Sequence, residues 1–172
     1  MFDYIKLQIE VLKLLNKDKT KERVRVCVDD MDVLFTPDGL RSYRVPASLF
    51  FLDTSKIREF NNLKNIMNTE CGQEVELSNE KTIAEHGKDD LLIFKFVDGK
   101  RAYIKETHIK TILPKLNAKH YYHFYMTSPE SALKVFEDNE CVAAFMPVVF
   151  KNNYEKMRDG LHEYKRGVNN AK

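Results

Sequence analysis

The residues able to do chemistry in this chain of 172 residues come in small, separated groups. Five histidines, His86, His108, His120, His123 and His162, include the pair in "HYYH". On a strand His120 and His123 point to opposite faces, which is poor geometry for a shared metal. "DDMD" (29 to 32) bunches carboxylates at a tight turn, where a cation could sit but solvated turn residues are far commoner. Cys27, Cys71 and Cys141 are far apart and lack CxxC spacing, against both a disulfide framework and a cysteine zinc site. The six glycines form no phosphate-binding loop, and no Ser or Cys has an elbow motif around it. No catalytic residue, metal ligand or cofactor is therefore assigned, and the expectation is a protein that is not an enzyme. "HYYHFY" offers one further chemistry, an aromatic platform for single-stranded nucleic acid. Alternation places Tyr122, Phe124 and Met126 on one face and Tyr121, His123 and Tyr125 on the other.

Composition bounds the rest. Lys+Arg 28 against Asp+Glu 26 gives a formal charge of +2, so the whole chain is not the basic footprint of a dedicated nucleic-acid binder. Any surface for DNA must be local. The length suits one compact domain with a real core. "MFDYIKLQIEVLKLLNKDK" has Asp3 and Glu10 where a signal peptide needs a basic start and an uninterrupted apolar run, and no stretch reaches membrane-spanning length. With unpaired cysteines, the expectation is a soluble cytoplasmic protein without a membrane partner.

The elements follow from periodicity. Ile5, Leu7, Ile9, Val11, Leu12, Leu14 and Leu15 repeat helically, with Lys6, Glu10, Lys13 and Lys17 on the other side. Three strands follow, "VRVCV" (24 to 28), "MDVLF" (31 to 35) and "LRSYRV" (40 to 45), with the turn "TPDG" before the third and Pro46 after it. From residue 106, "ETHIKTILPKL" is helix-like, and "YYHFYM", "SALKVFE" and "CVAAFM" read as three more strands ending at Pro147. The order helix, strand, strand, strand, apolar-Pro thus occurs twice. Leu14-Leu15 falls opposite Ile112-Leu113, Val26 opposite Phe124, Phe35 opposite Phe136, and Val45-Pro46 opposite Met146-Pro147.

The expected organisation is an α+β domain over residues 1–152, with halves at 1–52 and 91–150, a connecting segment at 53–90, and a C-terminal helix and tail at 153–172. Within the connection, "SKIREFNNLKNIM" reads as a short helix or an irregular crossover, and "EVELS" as a strand. "VDGK" carries the hairpin dipeptide Asp-Gly between alternating runs.

Residues 91 to 150 resemble the C-terminal domain of the bacterial DNA sliding clamp, the beta subunit of DNA polymerase III. The likeness rests on "FKFVDGKRAYIKETHIKTILPKL", similar to the clamp's strand, turn, strand and helix. It continues in "YYHFYMTSPESALKVFEDNECVAAFMPVVF", similar to its three closing strands and Met-Pro ending. The resemblance implies a DNA-clamp-like fold of two related helix plus antiparallel-strand halves. It further implies a cleft for apolar peptides of replication or repair proteins, lined by position by Ala144, Phe145, Met146, Pro147 and Val148. Methionine adapts to varied guests, and proline breaks the ladder so that side chains can turn outward. Clamp helices face double-stranded DNA and touch phosphates without reading sequence, which assigns that role to Lys6, Lys13, Lys17, Lys110, Lys115 and Lys119. The same lysines also read as the solvated side of an amphipathic helix. The function implied is a DNA-associated, clamp-like or processivity-related factor, for instance of a phage or mobile element, acting either by encirclement of DNA as a homo-oligomer or by docking partner peptides. The alternative is a small protein-interaction module on the same fold that does not bind DNA.

Overall fold

Asp3 opens the first helix: its Oδ1 accepts the Lys6 amide at 2.9 Å and its carbonyl accepts that of Leu7 at 3.1 Å, an N-cap arrangement. Helix α1 then runs Tyr4–Lys17 in the computed structural model, which describes residues 3–17, 23–83, 90–110 and 122–149. A meander follows, of β1 (Arg25–Val28), β2 (Asp32–Thr36) and β3 (Arg41–Pro46). Its second turn is the expected "TPDG". Thr36 Oγ1 accepts the Gly39 amide, Asp38 Oδ1 accepts the amides of Leu40 and Arg41, and Gly39 takes φ +78°, a conformation cheap only for glycine.

The connection holds a two-residue strand β4 (Arg58–Glu59), the short helix α2 (Asn62–Asn68), β5 (Gln73–Glu74) and β6 (Glu76–Ile83). Then come β7 (Asp90–Lys95), β8 (Arg101–Lys105), α3 (Glu106–Lys110), β9 (His123–Met126), β10 (Leu133–Glu137) and β11 (Glu140–Phe145). The protein is α+β. Among the described residues one sheet has eight strands in the order β4-β1-β2-β3-β11-β10-β9-β5, and a second has three, β6-β7-β8.

The large sheet has a regularity centred on its middle. The β2–β3 pairs Val33↔Val45, Leu34↔Arg44 and Phe35↔Tyr43 recur in β10–β11 as Leu133↔Phe145, Lys134↔Ala144 and Val135↔Ala143, each residue one hundred positions on. At the junction β3 pairs with β11 antiparallel, and Tyr43 lies opposite Ala143, its own counterpart by that offset. A helix precedes each meander, and a two-residue strand from the connection borders each outer end, β4 on β1 and β5 on β9.

This register corrects two of the expected correspondences. Val26 does match Phe124, since they pair with Phe35 and Val135 respectively. Phe35, however, matches Val135 rather than Phe136, and Val45 matches Phe145 rather than Met146. The register of β10 on β11 shifts by a bulge, Val135↔Ala143 being followed by Phe136↔Cys141, which leaves Val142 as the extra residue. A slip of one exchanges the faces of a strand: Phe35 and Val135 share the main core, whereas Phe136 packs on the other side.

That main core joins α1, one face of the large sheet and one face of the small one: Leu7 and Val11 with Val26, Phe35, Tyr43 and Phe145, and with Leu92, Phe94 and Ile104. The opposite face of the large sheet is covered by α2, whose Leu63 and Met67 pack with Cys27, Leu34, Cys141 and Ala144. Lys134 reaches from β10 to the end of α2, donating to Thr69 O at 2.5 Å and Thr69 Oγ1 at 2.7 Å, where a cation also complements the helix dipole. Burial raises the thiols of Cys27 and Cys141, the latter to about 11, while Cys71 is only half-buried. In native protein at pH 8 a thiol reagent should therefore label Cys71 at least tenfold faster than the other two, with all three reacting in denaturant, as mass mapping would show. Rapid native labelling of Cys141 would contradict this packing.

Candidate functional site

The Met-Pro segment is a crossing between sheets. Met146 still donates its amide to Leu40 O at 2.8 Å beside β3; Pro147 has no amide to give; and Val148 N then bonds Tyr103 O at 2.8 Å on β8 of the small sheet. Proline stands where the strand leaves one ladder for another, the position its missing donor makes least costly. Of the five residues expected to line a peptide cleft, Ala144 and Phe145 are buried, on opposite faces of the large sheet, and line no open cleft. Val148 packs on Leu91, Ile93 and Tyr103, and Pro147 is half-buried, leaving Met146 as the exposed member at 41%.

The acidic turn and the aromatic run are likewise absorbed. Asp29 is held below the usual carboxylate range by hydrogen bonds from Lys64, 3.0 Å away, and from the Asp30 amide, and Asp32 lies 3.8 Å from Arg44. Among the described residues no cluster of His, Cys, Asp and Glu could hold a metal ion. His123 bonds Glu74 at 2.8 Å, and His120 and Tyr121 lie outside the described residues. As alternation requires, Tyr122, Phe124 and Met126 enter the main core, and burial, with Glu137 and Tyr4 nearby, pushes the Tyr122 phenol up to about 12. Tyr125 is half-buried and stands edge-on to Phe136, with ring centroids 5.2 Å apart.

Helix α1 departs most from its expected form. At 3.6 residues per turn its apolar residues sweep roughly 220° of the circumference, twice the stripe a surface helix normally buries. The fold buries one side of this arc, Leu7 and Val11 with Tyr4 and Leu15 against the core. It leaves the other side in solvent: Ile5 is 65% exposed, Ile9 43% and Leu12 46%. The division falls at Gln8, a fully buried polar residue. Its Nε2 donates to Tyr4 O at 3.1 Å and Leu49 O at 2.9 Å, and its Oε1 accepts the Phe51 amide at 2.8 Å. Gln8 thus pins the chain after β3 alongside the helix, where Leu49 and Phe51 are also exposed.

Between the helix and that chain runs a groove of about 640 Å³, lined by Ile9, Leu12, Lys13 and Asn16 on one side and Leu52, Asp53, Lys56 and Ile57 on the other. A second hollow of about 430 Å³ continues it along Ile5, Lys6, Ile9 and Lys13. Lys6, Lys13 and Lys17 are exposed as expected and make no ion pair among the described residues. The neighbouring acids are engaged: Glu10 with Arg41 at 3.4 Å, Asp53 with the Ser55 amide and hydroxyl, and Asp3 as the helix cap. On α3, Lys110 ends the described helix, and Lys115 and Lys119 lie outside the described residues.

These observations define an α+β protein with an apolar, lysine-rimmed helix face. No protein-family model, curated protein or solved structure matches the chain. No helix among the described residues is long and apolar enough to cross a membrane.

Proposed function

We propose that this chain is a non-enzymatic protein-interaction module, built of two related helix-plus-three-strand halves like a DNA-clamp domain, and that a partner protein docks on the exposed side of α1. The observation that carries this reading is the row Ile5, Ile9 and Leu12, three large apolar side chains in solvent along the two hollows beside α1, with Leu49 and Phe51 also exposed on the chain that Gln8 holds against the helix. Water disfavours such a contiguous patch, and a covering surface removes the penalty. The recurrence of strand pairing at a constant offset supports the duplicated architecture, which is also the arrangement the resemblance implies.

A second reading, association with double-stranded DNA as a clamp-like processivity factor, draws on Lys6, Lys13 and Lys17 along one side of α1. Three aliphatic side chains on the same helix argue against phosphates as its main contact, because they gain nothing from a charged, hydrated backbone.

One set of variants separates the two. Immobilised protein should retain a specific partner from cell extract, and Ile9→Asp with Leu12→Asp should reduce retention at least tenfold, with circular dichroism unchanged because both residues are exposed. Retention unaffected by the pair rejects docking on α1. Duplex binding that weakens steeply with salt, and is lost in Lys6→Glu with Lys13→Glu but kept in the aliphatic pair, would favour the DNA reading.

A further inference from the structure

Resting on the docking reading above, we infer that the α1 groove takes an acidic amphipathic segment of a partner protein, its apolar anchors seated on Ile5, Ile9 and Leu12 and its carboxylates meeting Lys6, Lys13 and Lys17. Recognition of this kind reads anchors at helical spacing. Ile5 to Leu12 spans about 10 Å, so a helix of three turns or a short extended peptide covers the row.

The charges at the groove select among occupants. Lys6, Lys13 and Lys17 form no ion pair among the described residues and Glu10 is offset by Arg41, so three cations stand along the helix rim against the single carboxylate of Asp3 at the helix start, while Asp53 lies across the groove with Lys56. The field over the apolar row is therefore positive at one rim, which attracts carboxylates and repels a basic segment. A second copy of the chain suits the face less well. Two α1 helices laid antiparallel about a two-fold axis bring the same rim of each together, so that Lys6 and Lys13 of one copy meet the lysines of the other.

The test uses fluorescence anisotropy with the whole chain and two labelled peptides of roughly 15 residues. Both carry leucine and phenylalanine anchors at helical spacing, one with glutamate and the other with lysine beside the anchors. The glutamate peptide should bind roughly tenfold or more tighter at low salt, and its advantage should shrink as salt rises. Lys6→Glu with Lys13→Glu should reverse the preference, and Ile9→Asp should weaken both peptides. Equal binding of the two peptides, with Ile9→Asp still weakening both, overturns the acidic partner and leaves docking on α1 standing. Indifference of both peptides to Ile9→Asp removes docking as well. Failure of the glutamate peptide to bind also overturns the inference, and docking is then decided by the retention experiment alone. Light scattering that shows a dimer abolished by Ile9→Asp would assign the face to a second copy instead.

Discussion

Phe145→Ala lowers stability by about 3–5 kcal/mol, whereas Met146→Glu, one residue on, changes it by about 1 kcal/mol or less. Phe145 is fully buried at the junction of β3 and β11, edge-on to Tyr43 at 5.9 Å, in the core that unites α1 and both sheets. Removing its ring leaves a cavity that the surrounding strands are too well connected to close. Met146 lies where the chain leaves the large sheet, and its side chain is 41% in water, so a carboxylate there stays hydrated. Urea titrations of the two variants give the comparison directly. Equal destabilisation by both would place Met146 in the core, and a mild effect of Phe145→Ala would mean that the ring faces a cleft after all.

Gln8→Leu should cost about 2–4 kcal/mol although it replaces a polar side chain with an apolar one inside the protein. The cost arises from what remains. Leu49 O and the Phe51 amide lose their side-chain partner, and leucine keeps water from replacing it. The variant should also loosen the chain that carries Leu49 and Phe51, so the Phe51 amide should exchange with solvent at least tenfold faster. An unchanged exchange rate together with unchanged stability would show that the segment is held by packing alone. Since this chain forms the far wall of the groove, a folded Gln8→Leu protein should bind the acidic peptide more weakly than the native one.

How much was legible differs from element to element for a physical reason. The hairpin at "VDGK" was plain because its cause is local: Asp-Gly supplies a turn, Gly99 adopts φ +83°, and Phe96 and Lys100 are joined across it. The alternation in "YYHFYM" was legible on the same ground. The offset between the meanders was misread by one residue because "CVAAFM" is apolar on both faces and the one charged residue of "ALKVF", Lys134, points to a covered face instead of to solvent. A strand buried on both sides carries no exposed marker of register, and a bulge shifts it unseen. The candidate groove left one signal in the sequence, the excess of apolar positions on α1 over what a single stripe can bury. Its far wall left none, because Leu52 and Ile57 meet the helix only through folding.

By itself the sequence determined the main elements and their order: an amphipathic helix, two meanders of which the first turns at Thr-Pro-Asp-Gly, an Asp-Gly hairpin between them, a modest +2 charge and a proline after the last strand. These depend on backbone preferences and periodicity within a few residues of one another. Only the tertiary structure decided which arc of α1 faces the core, that Phe145 is buried while Met146 is not, and that Pro147 marks a passage between two sheets. Those outcomes depend on pairs such as Tyr43 and Ala143 or Val148 and Tyr103, brought together by sheet pairing across long stretches of chain. No local pattern encodes the partner of such a residue, because each apolar position offers the same transfer free energy to any core that receives it.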